Sequence, residues 1–181
     1  MSGIDDAEEF SVERLREKLD EDDLNELYLA TVEAIKDGNG FGWLDEPPRG
    51  VLEAYWRGVA LMPEREVWVA WLNGHIVGSI QLLHPSRHNQ AQAHIARLTT
   101  FFIAPHARGR GLAKKLFLSA EESARAAGFR QLDLDVRETQ QVAIQMYEQT
   151  GYVRWAERED YAIVDDIPVR GFYYTKSLQD G

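Results

Sequence analysis

The chain has no cysteine. That single absence removes a disulfide scaffold, a thiolate zinc site and a thiol nucleophile from consideration. No stretch approaches the roughly 20 apolar residues of a membrane-spanning helix, and the opening Met1-Ser2-Gly3-Ile4-Asp5-Asp6 carries neither a basic nor an apolar leader. A soluble, unprocessed, cytoplasmic protein with no membrane partner is the expectation. Repeats, low-complexity tracts and linkers are missing as well. A length of 181 residues with 44% hydrophobic and 10% aromatic content therefore predicts one domain, 1–181, with a sizeable core.

Basic residues are scarce at one end. The net charge is −10, and residues 1–48 hold 15 acids against 4 bases, while the rest of the chain holds 15 against 16. Duplex nucleic acid, which is bound largely through lysine and arginine on phosphates, is not an expected partner. A cationic substrate suits that end better. The plainer alternative is that Glu21, Asp22, Asp23 and Glu26 form the solvated face of a helix.

Periodicity predicts a strand over Phe10–Leu15 and a helix from Asp20 to near Gly38, along Leu24, Leu27, Tyr28, Thr31, Val32 and Ile35. A turn-rich loop, 37–48, carries Phe41 and Trp43, and a second helix follows from Arg49 to Leu61. Strands at 67–72 and 75–83 flank Asn73-Gly74, a strong hairpin signal. Further on, a long strand runs from about Ala93 to Ile103, then a helix from Leu112 to Ala127, a strand over Leu132–Val136, a helix over Ala143–Thr150, and closing strands at 152–157 and 171–176. This order predicts an α+β fold with a mixed, mostly antiparallel central sheet flanked by helices.

The most informative stretch is Ile103-Ala-Pro-His-Ala-Arg-Gly-Arg-Gly-Leu-Ala-Lys-Lys-Leu116, where a strand passes through glycines into a helix. Helix N-termini present unpaired N–H groups and favour anions, and Gly109, Gly111 and Ala113 leave room for a phosphate to reach the backbone. Arg108 and Arg110 add positive charge. A surface loop entering a helix is the alternative for such a pattern. No Walker-type G-x-x-x-x-G-K-[ST] is present, and a dinucleotide G-x-G-x-x-G would lack its third glycine.

Arg108-x-x-Gly111-x-Ala113 resembles the [QR]-x-x-G-x-[GA] acetyl-CoA-binding motif of the GNAT superfamily of N-acetyltransferases. Leu132-x-Leu134-x-Val136, followed by Ala143-x-x-Met146-Tyr147-Glu148-x-x-Gly151-Tyr152, is similar to the family's second signature. The order of elements agrees over about 8–178, and the aromatic loop near position 40 resembles antibiotic- and toxin-modifying members. The resemblance implies acetyl-CoA as co-substrate, pantetheine paired to the backbone of Phe101 and Ile103, and pyrophosphate held by Arg108, Gly109, Arg110, Gly111, Leu112 and Ala113. It places Tyr147 beside the departing sulfur as general acid. Two positions depart from the pattern: Gln140 stands where asparagine is common near the pantetheine, and Arg97 stands where some members carry a glutamate base.

An alkyl amine of ordinary pKa near 10.4 is neutral in only about one molecule in 10³ at pH 7, a deficit of roughly 4–5 kcal/mol, so a group must accept its proton. Asp135 is the first candidate, on the strand face opposite Leu132, Leu134 and Val136; a solvated or structural role is its alternative. Asp45 and Glu53, near the aromatic loop, are alternatives that could instead bind a cationic substrate. Trp43, Asp45 and Trp56, with Tyr55 and Phe41, are candidates for an acceptor pocket, though aromatics of this kind also build cores. His84 precedes Pro85 and makes no helical metal pair with His88, and Ser79 lacks a nucleophile's surroundings, so no metal is expected. The reading is acetyl transfer to a primary amine of a small molecule. Acetylation of a protein or peptide amine, a non-catalytic acyl-CoA-binding module and a homodimer stay open.

Overall fold

The chain runs β1 (Phe10–Leu15), α1 (Glu21–Lys36), α2 (Arg49–Ala60), β2 (Arg65–Leu72), β3 (His75–Leu83), β4 (Ile95–Ile103), α3 (Leu112–Ala126), β5 (Gln131–Arg137), α4 (Gln141–Gln149), β6 (Val153–Val164) and β7 (Ile167–Ser177). This is seen in a computed structural model that describes residues 8–16, 18–38 and 41–179. The strands form one sheet in the order β1-β2-β3-β4-β5-β7-β6. Only β4 and β5 pair in parallel; every other neighbouring pair is antiparallel. The expected α+β class is observed.

Local chemistry accounts for the elements. Asp20 caps α1 by accepting the Asp23 N–H at 2.8 Å, and Leu24, Leu27, Thr31 and Ile35 form one buried stripe. The acidic face of that helix is more than a solvated surface. Glu26 accepts the Ile76 N–H at 2.6 Å and bonds His75 Nδ1 at 2.8 Å, tying α1 to the β2–β3 hairpin. That hairpin turns at Asn73 and Gly74 with φ of 50° and 80°, the mirror-image turn whose twist suits paired strands.

Two apolar clusters flank the sheet. On one side Leu24, Leu27, Leu52 and Trp56 pack on Val67, Val69, Ile76 and Phe102. On the other, Leu116, Phe117, Ile144 and Tyr147 pack on Ile80, Leu98, Leu132, Leu134 and Val136. Each fully buried side chain of this kind stabilises the fold by roughly 1.5–3 kcal/mol.

Several boundaries differ from expectation. β4 begins at Ile95, because Gln90–Gln92 form a 3₁₀ turn, and α4 begins at Gln141, two residues before the expected start at Ala143. The larger difference is the last hairpin. β6 and β7 extend to 12 and 11 residues and turn at Asp165 and Asp166, both at positive φ (50° and 62°). β6 is the sheet's outer edge and mostly exposed, so it carries little of the alternation that marks a half-buried strand.

Two irregularities open the sheet in the middle. β4 and β5 pair only at Ile95–Gln131, Ala96–Leu132 and Arg97–Asp133. Beyond that point they diverge, and the β5-facing side of β4 has no ladder partner there. On its other side, Ser79 pairs with Phe102 but Gln81 with Thr99, so β4 holds one residue more than β3 can match. The excess falls at Thr100, whose φ of 53° marks a bulge.

Candidate active site

The gap between β4 and β5 opens into two adjoining cavities. The larger, about 760 Å³, is floored by Phe101, Phe102 and Ile103 and bounded by the turn before α3. The smaller, about 480 Å³, reaches Thr100, Asp135, Tyr147 and Tyr161. Leu44, Phe101, Arg137, Gln140 and Ala143 line both, which makes one continuous cleft through the sheet. Both volumes lie within the usual range for small-molecule sites.

Gly109 and Gly111 adopt the left-handed region, with φ of 78° and 76°. This conformation swings the chain from β4 into α3 and leaves the helix start without a side-chain cap. The first N–H groups of α3 lie at the cavity wall formed by Gly109, Gly111, Leu112 and Ala113. A β-carbon on either glycine would meet no neighbour, so the space beside this backbone is open. An anionic phosphate group fits these surroundings.

The two arginines of the turn behave differently. Arg108 lines the larger cavity, with Nε donating to the Ile103 carbonyl at 3.1 Å and Nη1 paired to Asp37 at 2.6 Å. Arg110 is not among the lining residues. Its Nε bonds both oxygens of Glu8 at 2.9–3.0 Å, and Nη1 donates to the carbonyls of His106 and Arg108, so it braces the turn from outside. Gln140 lines both cavities, but its side-chain amide donates to the Gly38 carbonyl at 3.2 Å, alongside Arg137 at 3.1 Å. These two bonds link the end of the α1 segment to the β5–α4 side of the cleft.

Tyr147 and Asp135, twelve positions apart in sequence, line the same smaller cavity. Tyr147 is 6% exposed, its ring among Phe101, Phe117, Tyr152 and Tyr174. Its hydroxyl bonds no described residue. Burial, and secondarily the charge of Asp135, pushes its pKa well above the ordinary 10, so the phenol keeps its proton at neutral pH. Asp135 sits on the β5 face opposite Leu132, Leu134 and Val136, as the alternation predicts, and accepts a hydrogen bond from the Tyr161 hydroxyl.

The acceptor-pocket candidates separate. Trp43 and Asp45 line the larger cavity, beside the glycine turn. Trp56 is fully buried in the α1–α2 core, where Nε1 donates to Thr31 Oγ1 at 3.0 Å, and it touches neither cavity. Glu53 is held by Arg49 and Arg57 on the surface of α2 and lines neither cavity. Phe41, stacked on Phe102 at 5.3 Å, carries the loop over the smaller cavity. Arg97 lies at the closed end, where β4 and β5 still pair, is exposed and lines neither cavity. The β4 residues that do line the smaller cavity are Leu98, Thr99, Thr100 and Phe101, none of them acidic.

Sequence reasoning missed Thr100 and Tyr161. The bulge at Thr100 is a mismatch between β3 and β4 that neither strand's pattern records. Tyr161 lies in β6 beyond residue 157, past the strand that the pattern predicts.

The profile of the acetyltransferase (GNAT) family matches residues 24–152. An uncharacterized N-acetyltransferase from the hisH–hisA intergenic region of Azospirillum brasilense is 53% identical over 130 residues, covering 72% of this chain and 77% of that protein. Among solved structures, a GNAT-family acetyltransferase from Streptococcus pneumoniae has a TM-score of 0.73 at 23% identity, covering 94% of this chain and 100% of the other. The fold is also shared with yncA of Salmonella typhimurium, solved with its cofactor acetyl-CoA, at a TM-score of 0.74 and 14% identity over 95% of each chain. Family profile and close relative agree with the fold and the glycine turn: this chain belongs to the GNAT family of acetyltransferases.

Proposed function

We propose that the protein transfers the acetyl group of acetyl-CoA to the primary amine of a small molecule by direct attack, with Asp135 accepting the proton of the amine and Tyr147 supplying one to the departing sulfur. The observation that carries this reading is the cleft itself, with an anion-favouring helix start at one end and an acid–phenol pair at the other. Acetyl-CoA supplies the activated thioester. Arg108, Gly109, Gly111, Leu112 and Ala113 bind its pyrophosphate, and Phe101 and Ile103 offer backbone groups to its pantetheine.

The protons balance without a metal or a covalent enzyme intermediate. The amine nitrogen bonds to the carbonyl carbon and the carbon–sulfur bond breaks. Nitrogen gives up two protons: one passes through Asp135 to solvent, and the other makes good the proton that Tyr147 hands to sulfur. A cavity of about 480 Å³ suits a compact acceptor better than an extended peptide.

Release of CoA thiol across a panel of small primary amines and short peptides tests the proposal. Turnover with small amines is expected, and acetyl-CoA at about 1 mM should raise the thermal midpoint more than ATP or NADH does. Binding of acetyl-CoA without thiol release on any amine would leave a cofactor-binding module, and turnover confined to peptides would move the acceptor to that class.

A further inference from the structure

β6 reaches the cleft by breaking its register. Arg158 pairs with Gly171 and Ala162 with Val169, so a four-residue step on β6 faces a two-residue step on β7. The surplus loops inward and carries Tyr161 with it. Its ring lies flat against Gly171, where any β-carbon would overlap the ring, and it meets Tyr173 edge-on at 6.0 Å. From there the hydroxyl donates to Oδ2 of Asp135 inside the smaller cavity. Oδ1 bonds no described residue.

We propose that Tyr161 is a positioning residue for the reaction: its hydrogen bond fixes the Asp135 carboxylate in one orientation and leaves Oδ1 for the incoming amine. This rests on Asp135 being the proton acceptor. The other titratable or charged groups facing Asp135 are Tyr147 from α4, Tyr173 from the paired strand β7, and Arg137 on its own strand, whose guanidinium donates to the Gly38 carbonyl. Among these described groups only Tyr161 donates a hydrogen bond to the carboxylate. Gly171 is the residue that lets the ring in.

The test is Tyr161→Phe, which keeps the ring on Gly171 and removes the donor, with Gly171→Ala as a second variant that displaces the ring while keeping the hydroxyl. Two readouts are followed: the split of the defect between kcat and the KM for acetyl-CoA, and the effect of Tyr161→Phe added to Asp135→Asn. The expected result in both single variants is a kcat lowered roughly 3- to 10-fold with the KM for acetyl-CoA unchanged, and no further loss when Tyr161→Phe is added to Asp135→Asn. Parental kcat in Tyr161→Phe, or the same loss on top of Asp135→Asn, overturns the proposal. Parental kcat in Asp135→Asn itself overturns Asp135 as proton acceptor, so the two failures are separated.

Discussion

Tyr147→Phe is the sharpest perturbation of the proposed chemistry, because the geometry lets its size be bounded. The hydroxyl bonds no described residue, and the ring packs on Phe101, Phe117, Tyr152 and Tyr174, so the phenylalanine variant keeps those contacts and orphans no partner. Its thermal midpoint should stay within a few degrees of the parent. Chemistry is another matter. A thiol of ordinary pKa near 8.5 that must leave as thiolate at pH 7 costs about 2 kcal/mol, or roughly 30-fold, relative to leaving with its proton. Tyr147 is only 6% exposed, so a thiolate beside it is poorly solvated and that adds to the figure, and general acids contribute up to about 10⁴-fold. The expected loss in kcat is therefore roughly 30- to 10³-fold at pH 7. It should shrink above about pH 8.5, where expulsion as thiolate loses its penalty. Steady-state thiol release from pH 6 to 9.5, with acetyl-CoA affinity measured calorimetrically, checks both parts. Parental kcat at pH 7, with single-turnover data showing that chemistry limits the rate, would refute the reasoning, as would a defect that stays constant with pH.

The glycine turn and the buried phenols give two further expectations. Gly111→Glu places a carboxylate where pyrophosphate should sit and forces a non-glycine residue to φ 76°, at a cost of about 1–2 kcal/mol, without steric overlap; titration calorimetry should find no acetyl-CoA binding in a variant that stays folded. Tyr152 donates to the buried Glu121, and burial first, then that carboxylate, raises its pKa above the ordinary 10. The unfolded chain thus loses this proton near pH 10 while the folded chain keeps it, so the stability contributed is complete below pH 10 and declines above it by about 1.4 kcal/mol per pH unit. Urea titrations between pH 9 and 11.5 should show that decline reduced in Tyr152→Phe, and an equal decline in both proteins would remove Tyr152 as its source.

What the sequence made legible follows from which features are local. The start of α1 at Asp20, the Asn73-Gly74 turn, the alternation that puts Asp135 opposite Leu134, and the glycine turn before α3 are decided within a few residues, and each appears in the structure where its pattern lies. Features set by two distant segments were opaque. Trp56 has the composition of a pocket residue, and only the packing of α1 against α2 shows that it is core. Arg110 has the composition of a phosphate ligand, and only the position of Glu8, 102 residues away, turns its guanidinium outward. The bulges at Thr100 and before Ala162 are mismatches between strands, which neither strand records alone.

The same distinction bears on whether the chain catalyses or merely binds. Arg97, which stands where some members of the family carry a glutamate base on the long strand, is the feature that favours a non-catalytic module. In three dimensions that strand is still paired to β5 at Arg97, and the cleft opens only beyond it. A glutamate at position 97 would thus stand outside the cavity that holds Tyr147. The acid that enters that cavity comes from β5, two residues past the last parallel pair, where divergence of the strands turns the face opposite Leu134 toward the gap. In the proposed reaction the splay between β4 and β5 would both admit the thioester and expose Asp135 to the amine. An acid at position 97 would therefore stand outside both cavities, and in the proposed reaction the acid that serves is Asp135.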